Sequence, residues 1–163
     1  MYKKHLILLP LLLLTACGFH LRGSQMAPTV SVSSVHLQST NAAGITAEVK
    51  SQLQQTNTQI TDTASEAEYV LQLANEKTQR SVLSVSATTG KVEKYKLTFS
   101  VLMSISKGEA PLVTDESIQV SRDYTFDDEA VLGKSSEEQL LREEMIRSAS
   151  SQILRRLNSL ARN

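Results

Sequence analysis

The chain has 163 residues, 17 basic and 17 acidic, with three histidines, one cysteine and no tryptophan. That length fits one domain, the single cysteine excludes an internal disulfide, and the even charge balance argues against a nucleic-acid partner. Aromatic residues are few, so any core must be built from Leu, Ile, Val and Ala.

Residues 1–16 read as a secretion signal. Lys3 and Lys4 form a basic start, and an apolar run from Leu6 to Leu14 follows, broken by Pro10. A run of this length is too short to span a bilayer, which takes about 20 residues, and it suits a secretory h-region. It ends in Leu14-Thr15-Ala16-Cys17, which resembles the bacterial lipobox. The Cys17 thiol is then expected to take a diacylglyceryl group, and the new N-terminus an acyl chain. An unmodified lone thiol would be a liability in an oxidising compartment. Each buried methylene contributes roughly 0.8 kcal/mol, so a multiply acylated anchor is long-lived. Gly18 stands where an Asp would retain such a protein at the inner membrane, which favours the periplasmic face of the outer membrane. Without the signal, 15 basic residues face 17 acidic ones.

Residues 17–28, with Gly18, Gly23 and Pro28, read as a lipidated N-terminus and tether. The remaining 29–163 form a single periplasmic domain. Thr29 to Leu37 alternates as a strand, with a phase slip at Ser33-Ser34 that suggests a bulge. Asn41 is placed to cap a helix running to about Gln55, with Ile45, Val49 and Leu53 as its apolar stripe. Tyr69, Leu71 and Leu73 alternate next, and Val82 to Val85 continues that segment. After a turn at Thr88-Thr89-Gly90-Lys91 comes the clearest pattern: Tyr95, Leu97, Phe99, Val101, Met103 and Ile105. Every second residue is apolar, as in a strand with one buried and one wet face. Lys107 to Pro111 turns the chain again, and Ile118, Val120, Tyr124 and Phe126 carry the alternation on, with Arg122 in phase. The last element is a long helix. Ser135 or Ser136 is expected to cap it, ahead of Glu137 and Glu138. Its stripe is Leu141, Met145, Ala149, Ile153, Leu157 and Leu160. Glu143 and Glu144 before Arg155, Arg156 and Arg162 match the helix dipole.

The order is β-α-β-β-β-α. A strand–helix–strand start favours a parallel pair with a right-handed crossover, and the hairpins add antiparallel neighbours. The expected fold class is α/β: a two-layer sandwich, with a mixed four-stranded sheet and both helices on one face. The other sheet face would carry Ser, Thr and Lys. Such a face stays in water or lines a hydrophilic cavity in a partner.

No catalytic set emerges. His5 leaves with the signal, His20 sits in the tether, and His36 stands alone on a strand, where a surface or satisfied histidine is expected. No HExxH, GxSxG or phosphate loop is present. Asp127-Asp128-Glu129 lacks the ligand spacing of a calcium loop and reads as a solvated acidic segment. The chain is expected not to be an enzyme and to need no metal and no cofactor beyond the lipid on Cys17.

Two segments carry a family resemblance. Cys17-Gly18-Phe19-His20-Leu21-Arg22-Gly23 resembles the mature start of the LPS-assembly lipoprotein family (LptE, rare lipoprotein B). So does the stretch from Arg122-Asp123-Tyr124 through Ala130-Val131-Leu132-Gly133-Lys134 to Gln152-Ile153-Leu154-Arg155-Arg156-Leu157. The resemblance implies a plug inside a large outer-membrane β-barrel, the LptD-like LPS translocon. Such a protein helps the barrel assemble, binds LPS and supports LPS transport to the outer leaflet. It also implies a basic LPS contact in the loop before the last helix, which is Lys134 here. A second basic position lies in the turn between the second and third strands. Counting back from Gly90, that place is Thr88, and Lys91 is the available substitute. For both lysines the competing reading is a solvated surface side chain. Phe19 and Leu21, beside the acylated cysteine, are candidate partner contacts on the barrel wall or lipid interface. The alternative function is an auxiliary lipoprotein of another envelope lipid-transport complex. A tethered enzyme is disfavoured for want of a catalytic set.

Overall fold

A computed structural model describes residues 31–125 and 131–162, with the backbone alone for 131–136. Strand β1 (Ser34–Thr40) leads into helix α1 (Ala43–Gln54), a short strand β2 (Gln59–Thr61) and a 3-10 turn (Ala64–Glu66). Strands β3 (Tyr69–Val85), β4 (Val92–Lys107) and β5 (Ala110–Thr125) follow, then helix α2 (Val131–Ala161). The sheet order is β2-β1-β3-β4-β5, with β1 parallel to β2 and β3, and the two hairpins antiparallel. The expected two-layer α/β architecture therefore holds, with five strands rather than four. The added strand is the three-residue Gln59–Thr61, which has a single apolar residue and no alternation to announce it. Its parallel register with Ser34–His36 makes it a strand.

The alternating residues of the strands and the stripes of both helices meet in one core. Ile45, Val49 and Leu53 of α1 are fully buried, as are Leu71 and Leu73 of β3. Leu97, Phe99 and Met103 of β4 join Met145, Ala149, Ile153 and Leu157 of α2. Leu154 and Ser150 are also buried, so the α2 stripe is wider than the spacing of four predicts. Leu141 and Leu160 pack at its margins. Burial of each large aliphatic side chain contributes about 1.5–3 kcal/mol, which is what holds the helices on the sheet.

Several local expectations are corrected. Strand β1 starts at Ser34, and Val32 is buried ahead of it, so Ser33-Ser34 marks the strand's start rather than a bulge. The bulges lie elsewhere. Asn75 (φ 56°) and Glu76 together face Val101, and this switches the inward parity of β3 from odd to even residues. Asp115 (φ 50°) does the same in β5, opposite Ser104. Asn41 does not cap α1. It takes φ 53°, and the N-cap residue is Ala42, with no side-chain cap of its own. The Glu76 carboxylate instead accepts from the Ile45 N–H at 2.9 Å, while the Glu76 N–H donates to the Asn41 carbonyl at 2.9 Å. A Cβ on Gly44 would lie 2.6 Å from Glu76 Oε1, so the bare backbone there makes room for the cap.

Helix α2 begins at Val131, upstream of Ser135 and Ser136, which are therefore not its caps. Neither of its terminal turns holds the expected charge: the first has no acidic residue and the last no basic one. The dipole reading of Arg156 gives way to a contact with β5, where its Nε lies 3.1 Å from Glu116 Oε2. Val82 and Val85 do extend β3, but they are 54% and 56% exposed and add nothing to the core. Val30, Phe126 and Asp127 to Glu129 lie outside the described residues.

Candidate functional site

Both helices cover one face of the sheet, and among the described residues no helix covers the other. Because β-strand side chains alternate, burial of the apolar set sends the intervening Ser, Thr and Gln residues to the open side. That face carries Gln38 of β1, Gln72 of β3, Thr98, Ser104 and Ser106 of β4, and Ser121 of β5, all exposed or half-buried. Thr98 and Ser121 hydroxyls meet across β4 and β5 at 3.2 Å. Toward the β4–β5 turn the face dips into a concavity of about 530 Å³, bounded by Gln38, Val70, Gln72, Ser106, Pro111 and Thr114. The Asp115 bulge shapes its rim: the Asp115 N–H donates to Ser104 Oγ at 3.0 Å, and the Ser104 hydroxyl donates to Asp115 Oδ1 at 3.3 Å. A serine beside a carboxylate with no base in line is not a nucleophile set. Among the described residues no group of His, Cys, Asp and Glu has the geometry of a metal site. The concavity offers hydrogen-bonding groups over a shallow, wet surface, suited to contact rather than to chemistry.

His36 is a satisfied histidine. Its Nδ1 lies 3.0 Å from the Thr61 carbonyl, which ties β1 to β2. At the same end of the sheet, the Glu68 carboxylate takes the Ser33 N–H at 3.2 Å and pairs with Lys107 at 3.3 Å. Desolvation pushes the Glu68 carboxyl up, but the Ser33 bond and Lys107 together outweigh it and leave the group below its ordinary value.

A second cluster stands at the far end of the sheet, where α2 begins. Tyr95 and Tyr124 are cross-strand partners and stack with centroids 5.7 Å apart. The Arg80 guanidinium lies over the Tyr95 ring at 4.9 Å and reaches Glu138 at 3.3 Å. The Tyr124 hydroxyl donates to Glu138 at 3.1 Å, and Arg142 flanks the same carboxylate at 3.6 Å. Burial raises the Tyr124 phenol above its ordinary value; Arg80 opposes the shift and the Glu138 carboxylate adds to it. A cation over an aromatic face contributes about 0.5–1 kcal/mol at an exposed site, so the cluster is a modest clasp between α2 and the sheet. Composition and spacing do not disclose it. The two tyrosines sit in the alternating pattern, but only the register of three strands brings Arg80 to them, and only the packing of α2 brings Glu138.

The two candidate LPS-contacting lysines belong to this far end. Lys91 closes the β3–β4 turn, where Gly90 takes φ 68° and the Ser86 N–H donates to the Lys91 carbonyl at 2.8 Å. Lys134 falls in the first turn of α2 rather than in a loop before it. Its side chain lies outside the described residues. It stands one helical turn before Glu138, the residue clasped to Tyr124. Cys17, Phe19 and Leu21 lie outside the described residues.

Comparison with known proteins gives a consistent result. The family model described as LptE, lipopolysaccharide-assembly, matches residues 27–157. The chain is 28% identical over 152 residues to the LPS-assembly lipoprotein LptE of Pectobacterium atrosepticum, covering 91% of this chain and 80% of that one. It is similar in structure to rare lipoprotein B from Shewanella oneidensis, with a TM-score of 0.71, 30% identity and coverage of 79% and 96%. Lipoprotein B from Nitrosomonas europaea shares the fold at a TM-score of 0.74 and 23% identity, with coverage of 88% and 92%. The span matched by the family model and these relatives lead to one conclusion: this chain belongs to the LptE family of envelope lipoproteins, which are not enzymes and serve LPS assembly.

Proposed function

We propose that this lipoprotein, acylated on Cys17 at the outer membrane, plugs the lumen of an LptD-like β-barrel, helps it assemble and binds LPS. The observation that carries the reading is the uncovered sheet face. A barrel lumen is polar, and a rigid domain whose open face carries Gln38, Gln72, Thr98, Ser104 and Ser121, with only scattered apolar residues such as Val70 and Leu112, can lie against it. Lys134 and Lys91 are assigned to LPS. Both lie at the end of the sheet where α2 starts, and charged side chains make strong, charge-assisted contacts with phosphate. Phe19 and Leu21 are assigned to packing on the barrel wall or lipid interface, beside the acyl chains.

Purification of the intact lipoprotein from membranes in mild detergent tests this function. The expected companion is a large β-barrel in stoichiometric amount. An inner-membrane transporter in its place would overturn the reading and favour service to another lipid-transport complex.

A further inference from the structure

The distal half of β3 is an unusual edge. Strand β1 pairs with β3 only from Tyr69 to Ala74, and the Asn75–Glu76 bulge then turns the chain up to the α1 N-terminus. Beyond it, Lys77 to Val85 pairs with β4 on one side, and among the described residues no strand pairs with the other. The edge is about 30 Å long at 3.3 Å per residue. Free edges are usually blunted by charge, brevity or cover. This one instead holds three of the five exposed large apolar side chains found among the described residues: Val82, Leu83 and Val85, at 54%, 43% and 56% exposure. The segment Lys77–Val85 contains two basic residues and no acidic one, and the hairpin from Lys77 to Lys96 holds five basic residues against one acidic, in a protein of even overall charge.

We propose that this edge is a strand-addition site. Its occupant is an extended segment of a partner protein with apolar and acidic side chains. Main-chain hydrogen bonds supply the affinity, and the alternating side chains supply the selection. The open main chain favours a peptide over an anionic lipid, which has no ladder of N–H and C=O groups to offer. The inference rests on the proposed function only in taking the partner from the same envelope complex.

The test uses the full lipoprotein in its membranes, with a photo-crosslinking phenylalanine analogue placed in turn at Gln79, Leu83 and Val85. Strand addition predicts protein adducts that step along one extended segment in a single direction. It also predicts at least 10-fold slower amide exchange at residues 77–85 in the complex. The double variant Val82→Asp, Val85→Asp should fold normally, since both side chains are exposed, and should recover at least 10-fold less partner. Adducts carrying LPS, adducts to a second copy of this chain, or unchanged exchange would each overturn the proposal. If the barrel co-purifies undiminished with the double variant, this inference fails while the plug reading stands. If no barrel is recovered with the unmodified protein, the plug reading itself fails.

Discussion

At the scale of single residues, two carboxylates hold the fold together in ways their sequence neighbours do not reveal. Glu76 caps α1 from 31 residues away, and a lost cap typically costs about 0.5–2 kcal/mol. Glu76→Ala should therefore lower unfolding stability by about 1 kcal/mol, measured by denaturant titration. Gly44 is coupled to it. Gly44→Ala should destabilise the natural protein, because the new methyl displaces the carboxylate. In the Glu76→Ala background the same change should stabilise by up to about 1 kcal/mol, since alanine is the better helix former. Equal effects in both backgrounds would contradict the coupling. Glu68 gives a pH signature. Its folded-state pKa is depressed below the ordinary 4.5, so the stability it contributes is present above that value and is lost as pH falls through the folded pKa. Glu68→Gln should flatten the acid side of the stability curve and leave its neutral-to-basic shape unchanged. Asn41 was the legible cap candidate, and its own φ of 53° takes it out of that role.

At the scale of elements, periodicity reads the buried faces well and their interruptions poorly. The unbroken alternation of β4 and the stripe of α2 are both visible as spacing, because β4 buries one face from Leu97 to Ile105 and α2 packs one face on the core from Leu141 to Leu160. In β3 and β5 a bulge reverses the inward parity midway, so a single period cannot describe either strand. Bulges arise from pairing with β4 and from the left-handed backbone of Asn75 and Asp115, which a linear pattern does not display. The start of α2 is hidden for a similar reason. Ser135-Ser136 before two glutamates has the form of a capping box, but the helix extends upstream of it. The clasp at this end should act locally. Tyr124→Phe removes a hydrogen bond to Glu138 worth about 1.5–3 kcal/mol if charge-assisted and buried, less here because the site is partly wet. Amide exchange should accelerate around residues 137–142 while the melting temperature hardly moves. By contrast, Ile153→Ala should cost about 2–5 kcal/mol in global stability, because that side chain is fully buried.

At the scale of the whole molecule, the proposed anchor, plug and LPS contacts can be tested separately. Cys17→Ala, exported through an unrelated cleavable signal, should leave the melting temperature of the domain unchanged and release it from the membrane fraction. Lys134→Asp should weaken LPS binding several-fold in a pull-down with the fold intact, and unchanged binding would reduce Lys134 to a surface lysine. What the sequence by itself determined is the set of properties carried by local or cumulative signals. These are the lipobox-like start, the family motifs, the order of the longer elements, and the helix and strand stripes that place both helices on one side of a mixed sheet. The first two are short strings of particular residues, while hydrophobic periodicity encodes the elements and their stripes, because a buried face must be apolar along the element's own repeat. Tertiary structure decided what depends on which strand lies beside which. A three-residue strand exists only by pairing with β1, and a glutamate on β3 caps a distant helix. Arg80, Tyr95 and Tyr124 converge only through cross-strand register, and Glu138 joins them through the packing of α2. Among the described residues the distal edge of β3 has no strand beside it only because β1 stops short of it. None of these has a local signature, since each is a property of two chain segments brought together by the collapse of the core.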